Sequence, residues 1–330
     1  MATAAVLGQN DALEAAEREL IRMSGVPFES ERIYLEESEG FSVFCLKYVQ
    51  IDKPPLVLIH GYLGTSIIFY KLFQSLAKEF SVYCLDLMGM GRSSRPEFSA
   101  KGREETELFF VLPIEVCRVK LGLNKMILAG HSFGGYISGC YAEHFPEHVE
   151  KLVLISSIGI PHPPGGCAKE WAKSLNWKFR TFMRLGRYLI KKNVTPAAVL
   201  RKLGSYGTRF VRKYLKRRWR TIPDNELEHL EKYLYIVNTY PGSGEFALKE
   251  LFVEGGFALK PLCERIKQTP TVFVYGDRDW MDPEGANMNS NYNQCKVVRE
   301  FISKSGHHMY IDNPEELVSK LISALNELDE

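Results

Sequence analysis

Gly130-His131-Ser132-Phe133-Gly134 reads G-x-S-x-G and lies between an apolar run, Met126 to Ala129, and a helix-like stretch from Gly135 to Phe145. Strand, sharp turn, helix is the setting in which such a serine is thrust out as a nucleophile. The turn strains the serine backbone, so small neighbours are needed, and Gly130 and Gly134 supply them. A serine is weak alone; it needs a base to take its proton and an acid to orient that base. Gly306-His307-His308 follows the last strand-like run, and His307 is the candidate base, with His308 its structural neighbour. Gly276-Asp277-Arg278-Asp279-Trp280-Met281-Asp282 follows another. Asp279 has the usual spacing for the acid; Asp282 is the alternative and Asp277 the least favoured. The negative oxygen formed on attack needs two N–H donors. Phe133 supplies one, and Tyr62 or Leu63, in the loop His60-Gly61-Tyr62-Leu63, the other. The chemistry is therefore nucleophilic attack on an acyl carbonyl.

The elements that must position these groups alternate. Helical spacing covers residues 11–23, ending at Gly25, and two strands are expected at 32–36 and 41–48. Leu56 to Ile59 and Val82 to Asp86 are unbroken apolar runs, typical of strands buried on both faces. Helical patterns fill 69–80 and 103–121, and Lys151 to Ser156 is a further strand. Alternation of this kind implies an α/β fold with a mostly parallel sheet, wound on both faces. It stops at Pro161 and resumes at Pro270. The expected organisation is a core in two parts, 1–161 and 269–330, with a helical insertion over 162–268. After a short strand over 296–301, a helix starts at Asn313 as N-cap, with Pro314 at its first position and Glu316 closing a capping box.

The 330 residues are 45% hydrophobic and 25% charged, ordinary for a globular protein. No apolar run reaches the ~18 residues of a membrane span, and Met1 to Asn10 has no leader pattern. Seven cysteines without a C-x-x-C pair point to reduced thiols and a cytoplasmic setting. Gly89-Met90-Gly91-Arg92-Ser93-Ser94 starts like a dinucleotide fingerprint but has serine where the third glycine belongs. With no phosphate loop and no zinc spacing either, no cofactor and no metal are expected. Charge is uneven: residues 168–220 hold seventeen of the 42 basic residues and one of the 40 acidic ones. There Leu175, Phe179, Phe182, Leu189 and Ile190 are expected on one helical face, with Arg180, Arg184, Arg187 and Lys191 outside it. Arg209 to Arg220 interleaves Phe210, Tyr214 and Trp219 with cations. A basic amphipathic helix with aromatics implies peripheral attachment to an anionic membrane or lipid-droplet surface. The charge would suit nucleic acid, but no nucleic-acid fold accompanies it, and none is expected as a partner.

His60-Gly61, the run from Asp86 to Pro96, Gly130 to Gly135, and Gly306 to Asp312 together resemble the α/β-hydrolase-domain proteins of the group containing members 4 and 5, with their plant and yeast relatives. Gly91-Arg92-Ser93-Ser94-Arg95-Pro96 and the last motif are the specific parts. The resemblance covers roughly residues 15–160 and 268–328 and implies the α/β-hydrolase fold. It also implies action on acylated glycerophospholipids: lysophospholipase or phospholipase hydrolysis, or acyl-CoA-dependent acylation of lysophosphatidic acid. The latter is associated with H-x4-D, here His307 to Asp312, although Asp312 also precedes the expected helix cap. Member 5 lacks the elbow serine and acts as a lipase coactivator on lipid droplets. Ser132 is present here, so an enzyme is expected over a non-catalytic scaffold. Epoxide hydrolysis or dehalogenation would need an aspartate at Ser132. The expected reaction is cleavage of lipid acyl esters at a lipid surface.

Overall fold

The computed structural model describes residues 4–36 and 40–330. The reading of residues 1–10 lies partly outside the described residues, as does the Phe179 side chain. The strands are β1 Glu29–Tyr34, β2 Ser42–Tyr48, β3 Pro55–Ile59, β4 Ser81–Leu85, β5 Met126–His131, β6 Val149–Ile155, β7 Thr271–Gly276 and β8 Val297–Ile302. They form one sheet in the order β1-β2-β4-β3-β5-β6-β7-β8. β4 to β8 pair in parallel through β3, and β1 and β2 add an antiparallel edge. β4, β5 and β7 are buried along their whole length, which is why their runs are apolar without alternation.

Four helices accompany the first strands: α1 Ala4–Ser24, α2 Tyr70–Leu76, α3 Gly102–Lys120 and α4 Phe133–His144. Between β6 and β7 lie α5 Ala168–Ser174, α6 Trp177–Lys191, α7 Pro196–Leu203, α8 Gly207–Arg218, α9 Asp224–Thr239 and α10 Leu248–Leu251. The chain ends with α11 Glu284–Ser290, α12 Met309–Asp312 and α13 Pro314–Glu327. α1 starts well before the expected residue 11. α2 is preceded by a tight turn, Ser66–Phe69, capped by the Thr65 hydroxyl. The capping box at α13 does not form. The Asn313 N–H already donates to the Met309 carbonyl at 2.9 Å, because α12 runs straight into α13. Glu316 instead accepts from the Asn313 amide at 2.6 Å and from the Ser303 N–H.

The Gly91 to Pro96 run is a clamp. Asp86 is fully buried and accepts N–H bonds from Ser66 and Arg92 at 2.5 and 2.7 Å. Arg92 pairs with Glu17 of α1 at 2.6 Å, while Arg95 donates to the Val237 carbonyl of α9 at 2.7 Å. Glu17 also accepts from the Tyr233 hydroxyl at 2.8 Å, tying α1 to α9 directly. The side chains of α7, α8 and α9 join the apolar core formed with α1, α2 and α13. Among the described residues, α5 and α6 contribute to neither core.

α6 departs from the expected single apolar face. Phe182 is 71% exposed, with Trp177, Leu185 and Tyr188 beside it at 64, 55 and 59%. Arg187 turns inward to an ion pair with Glu254 at 2.7 Å, and Leu175 lies in the turn before the helix. The helix is apolar on two opposite faces, since Met183, Gly186 and Ile190 line a cavity beneath it. Periodicity alone does not say which apolar face is inside. Trp219, expected among the surface aromatics, is 4% exposed.

Arg265, just before β7, is buried between two carboxylates. It binds Glu107 of α3 through two bonds of 2.9 and 2.8 Å and Glu143 of α4 at 2.7 Å. Removing one member of a buried pair strands the other's charge, whereas replacing both with apolar groups is often neutral. Arg265→Met is therefore expected to destabilise the fold by about 3 kcal/mol, read as a lower urea midpoint. Adding Glu107→Leu should recover most of that loss; a further additive loss would show that the pair is not what matters.

Candidate active site

Ser132 sits between β5 and α4 with φ 54° and ψ −114°, a conformation a side-chain-bearing residue rarely adopts. Its N–H donates to the Ile155 carbonyl at 3.0 Å, and its carbonyl accepts from Tyr136 and Ile158 at 3.1 and 3.3 Å. The glycines permit the crossing. A Cβ at Gly134 would lie 2.3 Å from the His60 carbonyl oxygen, and one at Gly130 would lie 2.4 Å from that of Gly134.

The turn presents the Ser132 hydroxyl to His307, whose Nε2 accepts from it at 3.0 Å. On the other side of the ring, Nδ1 is 3.3 Å from Asp279 Oδ1. The structure thus brings together Ser132, His307 and Asp279, which come from three different strand ends. Asp282 is not at the imidazole; its carboxylate accepts from the Glu284 N–H at 2.9 Å, in the turn leading into α11. Asp277 accepts from the N–H groups of Lys304 and Ser305, both at 2.9 Å, and so ties the β7 loop to the β8 loop. Asp312 takes the Gly306 N–H at 2.9 Å and braces the loop that carries His307 without reaching its ring. Burial raises the Asp312 carboxyl above its ordinary value, against that one bond.

One residue was not legible in the sequence. Ser156, at the end of β6, lies within 2.6 Å of His307 Nδ1 and donates its hydroxyl proton to Asp279 Oδ2. Its φ of 48° is a second strained backbone in the site. The Nδ1 proton is therefore shared between the Ser156 oxygen and the Asp279 carboxylate. Burial pushes the Asp279 carboxyl up; hydrogen bonds from His307 and Ser156 outweigh it, and the group ends below the usual aspartate value. A serine closing a strand has no spacing signal; only its positive φ marks it.

Three more histidines surround the pair and are held neutral. His131 donates from Nε2 to the His307 carbonyl at 2.8 Å, which leaves Nδ1 bare. Burial, then the proximity of His307 and His308, drives its basicity well below normal. His308 is pushed down to about 3 by burial and by His307, and its Nδ1 accepts from the Tyr310 hydroxyl at 2.8 Å. His60, also lowered by burial, donates to the Gly61 carbonyl at 2.7 Å and accepts from the Leu87 N–H at 3.0 Å. A buried imidazolium would be costly, so these rings stabilise by shape and hydrogen bonding, not charge.

Ser132 opens into a cavity of about 370 Å³ whose walls include Tyr62, Leu63, Leu200, Phe210, Tyr214 and Trp219. Tyr62 and Leu63 flank Ser132 there, and Phe133 is the first residue of α4, where backbone N–H groups have no partner within their own helix. Leu63 has φ 56°, the strained residue of its loop. Phe210 and Tyr214 are 54 and 41% exposed and so form the mouth. The arrangement suits a nucleophilic oxygen attacking an acyl group attached to a hydrocarbon chain.

If Ser156 steadies the imidazole through this shared proton, Ser156→Ala should slow covalent labelling of Ser132 by a fluorophosphonate. A lost bond within a charged network is worth about 1.5–3 kcal/mol, or roughly 10- to 100-fold in rate. Ser156→Thr, which keeps the hydroxyl, should be the milder change. Labelling unaltered in Ser156→Ala would assign the carboxylate alone to this task.

A profile of the α/β hydrolase fold family matches residues 54–314. The chain is 36% identical over 273 residues to the 1-acylglycerol-3-phosphate O-acyltransferase of Arabidopsis thaliana, covering 79% of this chain and 64% of that one. It is 30% identical over 332 residues to 1-acylglycerol-3-phosphate O-acyltransferase ABHD5 of Homo sapiens, covering 96 and 90%. With the (lyso)-N-acylphosphatidylethanolamine lipase of Bos taurus it shares 32% over 271 residues, covering 80 and 76%. The chain spans about two thirds of the length of the plant relatives it matches. Among solved structures, a bacterial membrane phospholipase A superposes with a TM-score of 0.70 at 19% identity, covering 99% of this chain and 95% of that one. At that identity the likeness speaks to the fold.

Proposed function

The chain belongs to the α/β-hydrolase fold family, in the group that contains members 4 and 5, and we propose that it is a serine hydrolase of lipid acyl esters, a (lyso)phospholipase working at a lipid surface. The observation that carries this reading is the 3.0 Å contact between Ser132 Oγ and His307 Nε2 at the floor of an apolar cavity. Ser132 attacks the ester carbonyl and its proton passes to His307 Nε2. The oxyanion is held by the N–H of Phe133 and that of Tyr62 or Leu63. His307 gives the proton to the leaving alcohol, and a water, activated by the same ring, frees the fatty acid. Asp279, with Ser156, orients the imidazole and balances its transient charge. Residues 162–268 form a lid between core parts 1–161 and 269–330.

A second reading is acyl transfer from acyl-CoA to lysophosphatidic acid through the same acyl-serine. The names of the plant and vertebrate relatives favour it. Asp312 would then act through the loop it braces, since it meets the Gly306 N–H and not the ring. The test is a fluorophosphonate probe followed by a lysophospholipid panel with and without acyl-CoA. Ser132→Ala should lose labelling and cut hydrolysis by several orders of magnitude. Hydrolysis undiminished in that variant would refute the serine mechanism. Acyl transfer surviving in it would assign transfer to another site.

Among the described residues no helix is long and apolar enough to cross a membrane. The reading places the protein at an anionic membrane or droplet through its lid. The outward face of α6 supports this: Trp177, Phe182, Leu185 and Tyr188 stand exposed, flanked by exposed Lys178, Arg184 and Lys191. Burying one large apolar side chain contributes about 1.5–3 kcal/mol. Trp177→Ser with Phe182→Ser should thus weaken binding to anionic vesicles by roughly 100-fold or more, at about 1.4 kcal/mol per tenfold. Turnover of a small soluble ester should be unchanged, since neither residue lines the Ser132 cavity. Raising salt should weaken wild-type binding without abolishing it, as the Debye length falls from ~10 Å at 0.1 M to ~3 Å at 1 M. Vesicle co-sedimentation that is indifferent to both changes would remove α6 from the interface.

A further inference from the structure

A second cavity of about 560 Å³ lies on the other side of the elbow, beneath α6. Its walls include Trp171, Met183, Phe252 and Phe257. Trp280 borders both cavities, and its ring centroid is 5.1 Å from that of His307. Ile158, another wall residue, donates its N–H to the carbonyl of Ser132 itself at 3.3 Å.

Gly186 gives the clearest signal. It lies inside α6, where glycine costs about 1 kcal/mol relative to alanine. A Cβ built on it would meet nothing within 4 Å. No protein neighbour therefore requires the glycine; it enlarges a space that the protein does not fill. Of the charges around this space, Arg187 and Glu254 pair with each other at 2.7 Å. Lys191 and Lys249 remain against Asp282, so the rim is net cationic. An apolar interior, charged lining groups that are net cationic and a wall bonded to the Ser132 backbone describe a site for hydrocarbon attached to an anionic head.

We propose that this cavity takes the second acyl chain of a two-chain anionic phospholipid whose scissile ester lies at Ser132. The inference rests on the lipid-esterase reading above and narrows it: the lipid straddles Trp280, one chain on each side. A single-chain lysolipid needs only the first cavity. Gly186 and its neighbours then select between one-chain and two-chain substrates.

The test uses Ser132→Ala protein, so that nothing turns over, and detergent-solubilised phosphatidylglycerol brominated on one chain. Bromine should quench the Trp171 fluorescence, identified as the signal lost in Trp171→Phe. Gly186→Phe, which projects a ring into the cavity, should weaken this binding by about tenfold or more, the scale on which apolar pockets discriminate by size. Binding of brominated lysophosphatidylglycerol should not change, which also reports that the variant is folded. Gly186→Leu, a better helix former, is the milder version. In otherwise wild-type protein, Gly186→Phe should lower the ratio of two-chain to one-chain hydrolysis by a similar factor. Equal loss for both lipids, no loss for either, or displacement of the probe by acyl-CoA but not by unlabelled phosphatidylglycerol would overturn the proposal. If the wild type hydrolyses neither lipid, the esterase reading fails, while the quenching still decides what the cavity binds.

Discussion

The whole arrangement depends on one close crossing, that of α4 over the ends of β3 and β5. The Gly134 backbone passes so near the His60 carbonyl that a methyl group would stand 2.3 Å from that oxygen. This contact holds Ser132 in a backbone conformation that costs of order 1–3 kcal/mol elsewhere. The same contact brings the loop after β3 against Ser132, so the serine and its candidate oxyanion donors are positioned by a single packing event. Strain and proximity have one cause. The strand hydrogen bonds on both sides of β5 keep that cause in place, because Ser132 cannot relax without pulling its N–H from Ile155.

Around that point the site is built from neutral parts. His60, His131 and His308 are all pushed toward the uncharged form by burial. The carboxylate that remains ionised nearest His307 is Asp279, with its hydroxyl bridge from Ser156. In a region of low polarisability a positive ring forming on His307 would meet the Asp279 carboxylate as its nearest negative partner, and a fixed charge gains strength there. His131 adds a mechanical term: its bond to the His307 carbonyl holds that residue by its backbone and not by its ring.

Much of this was legible in the residues. The elbow, the alternation of buried runs and the Ser…Asp…His order follow from spacing, because spacing controls which side chains stand at strand ends; the structure sets Asp279, and not Asp282, beside His307. Ser156 was not, since a bridging hydroxyl is defined by where two other strands place their ends. The Gly91 to Pro96 run was visible as a family mark, yet its work, binding α1 through Arg92 and α9 through Arg95, depends on distant partners. α6 shows the limit of periodicity. Its apolar residues recur at helical spacing on two faces, and only the cavity beneath tells which one is inside. The capping box at Glu316 failed for a local reason: the preceding helix had already claimed the N–H it required.

The segment between β6 and β7 is held unequally. α7, α8 and α9 share a core with α1 and α13, and α9 is pinned by Arg95 and Tyr233, so displacing them would expose core. α5 and α6 share in no such core among the described residues. Local stability sets which parts of a protein open first. The cheapest opening is then a swing of α5 and α6 alone, with the other three helices as a fixed wall. Such a motion would widen the space beneath α6 without moving the strand ends that carry Ser132 and His307. Passage and bond-making would then be separable steps, with entry limiting a bulky ester and chemistry a small one.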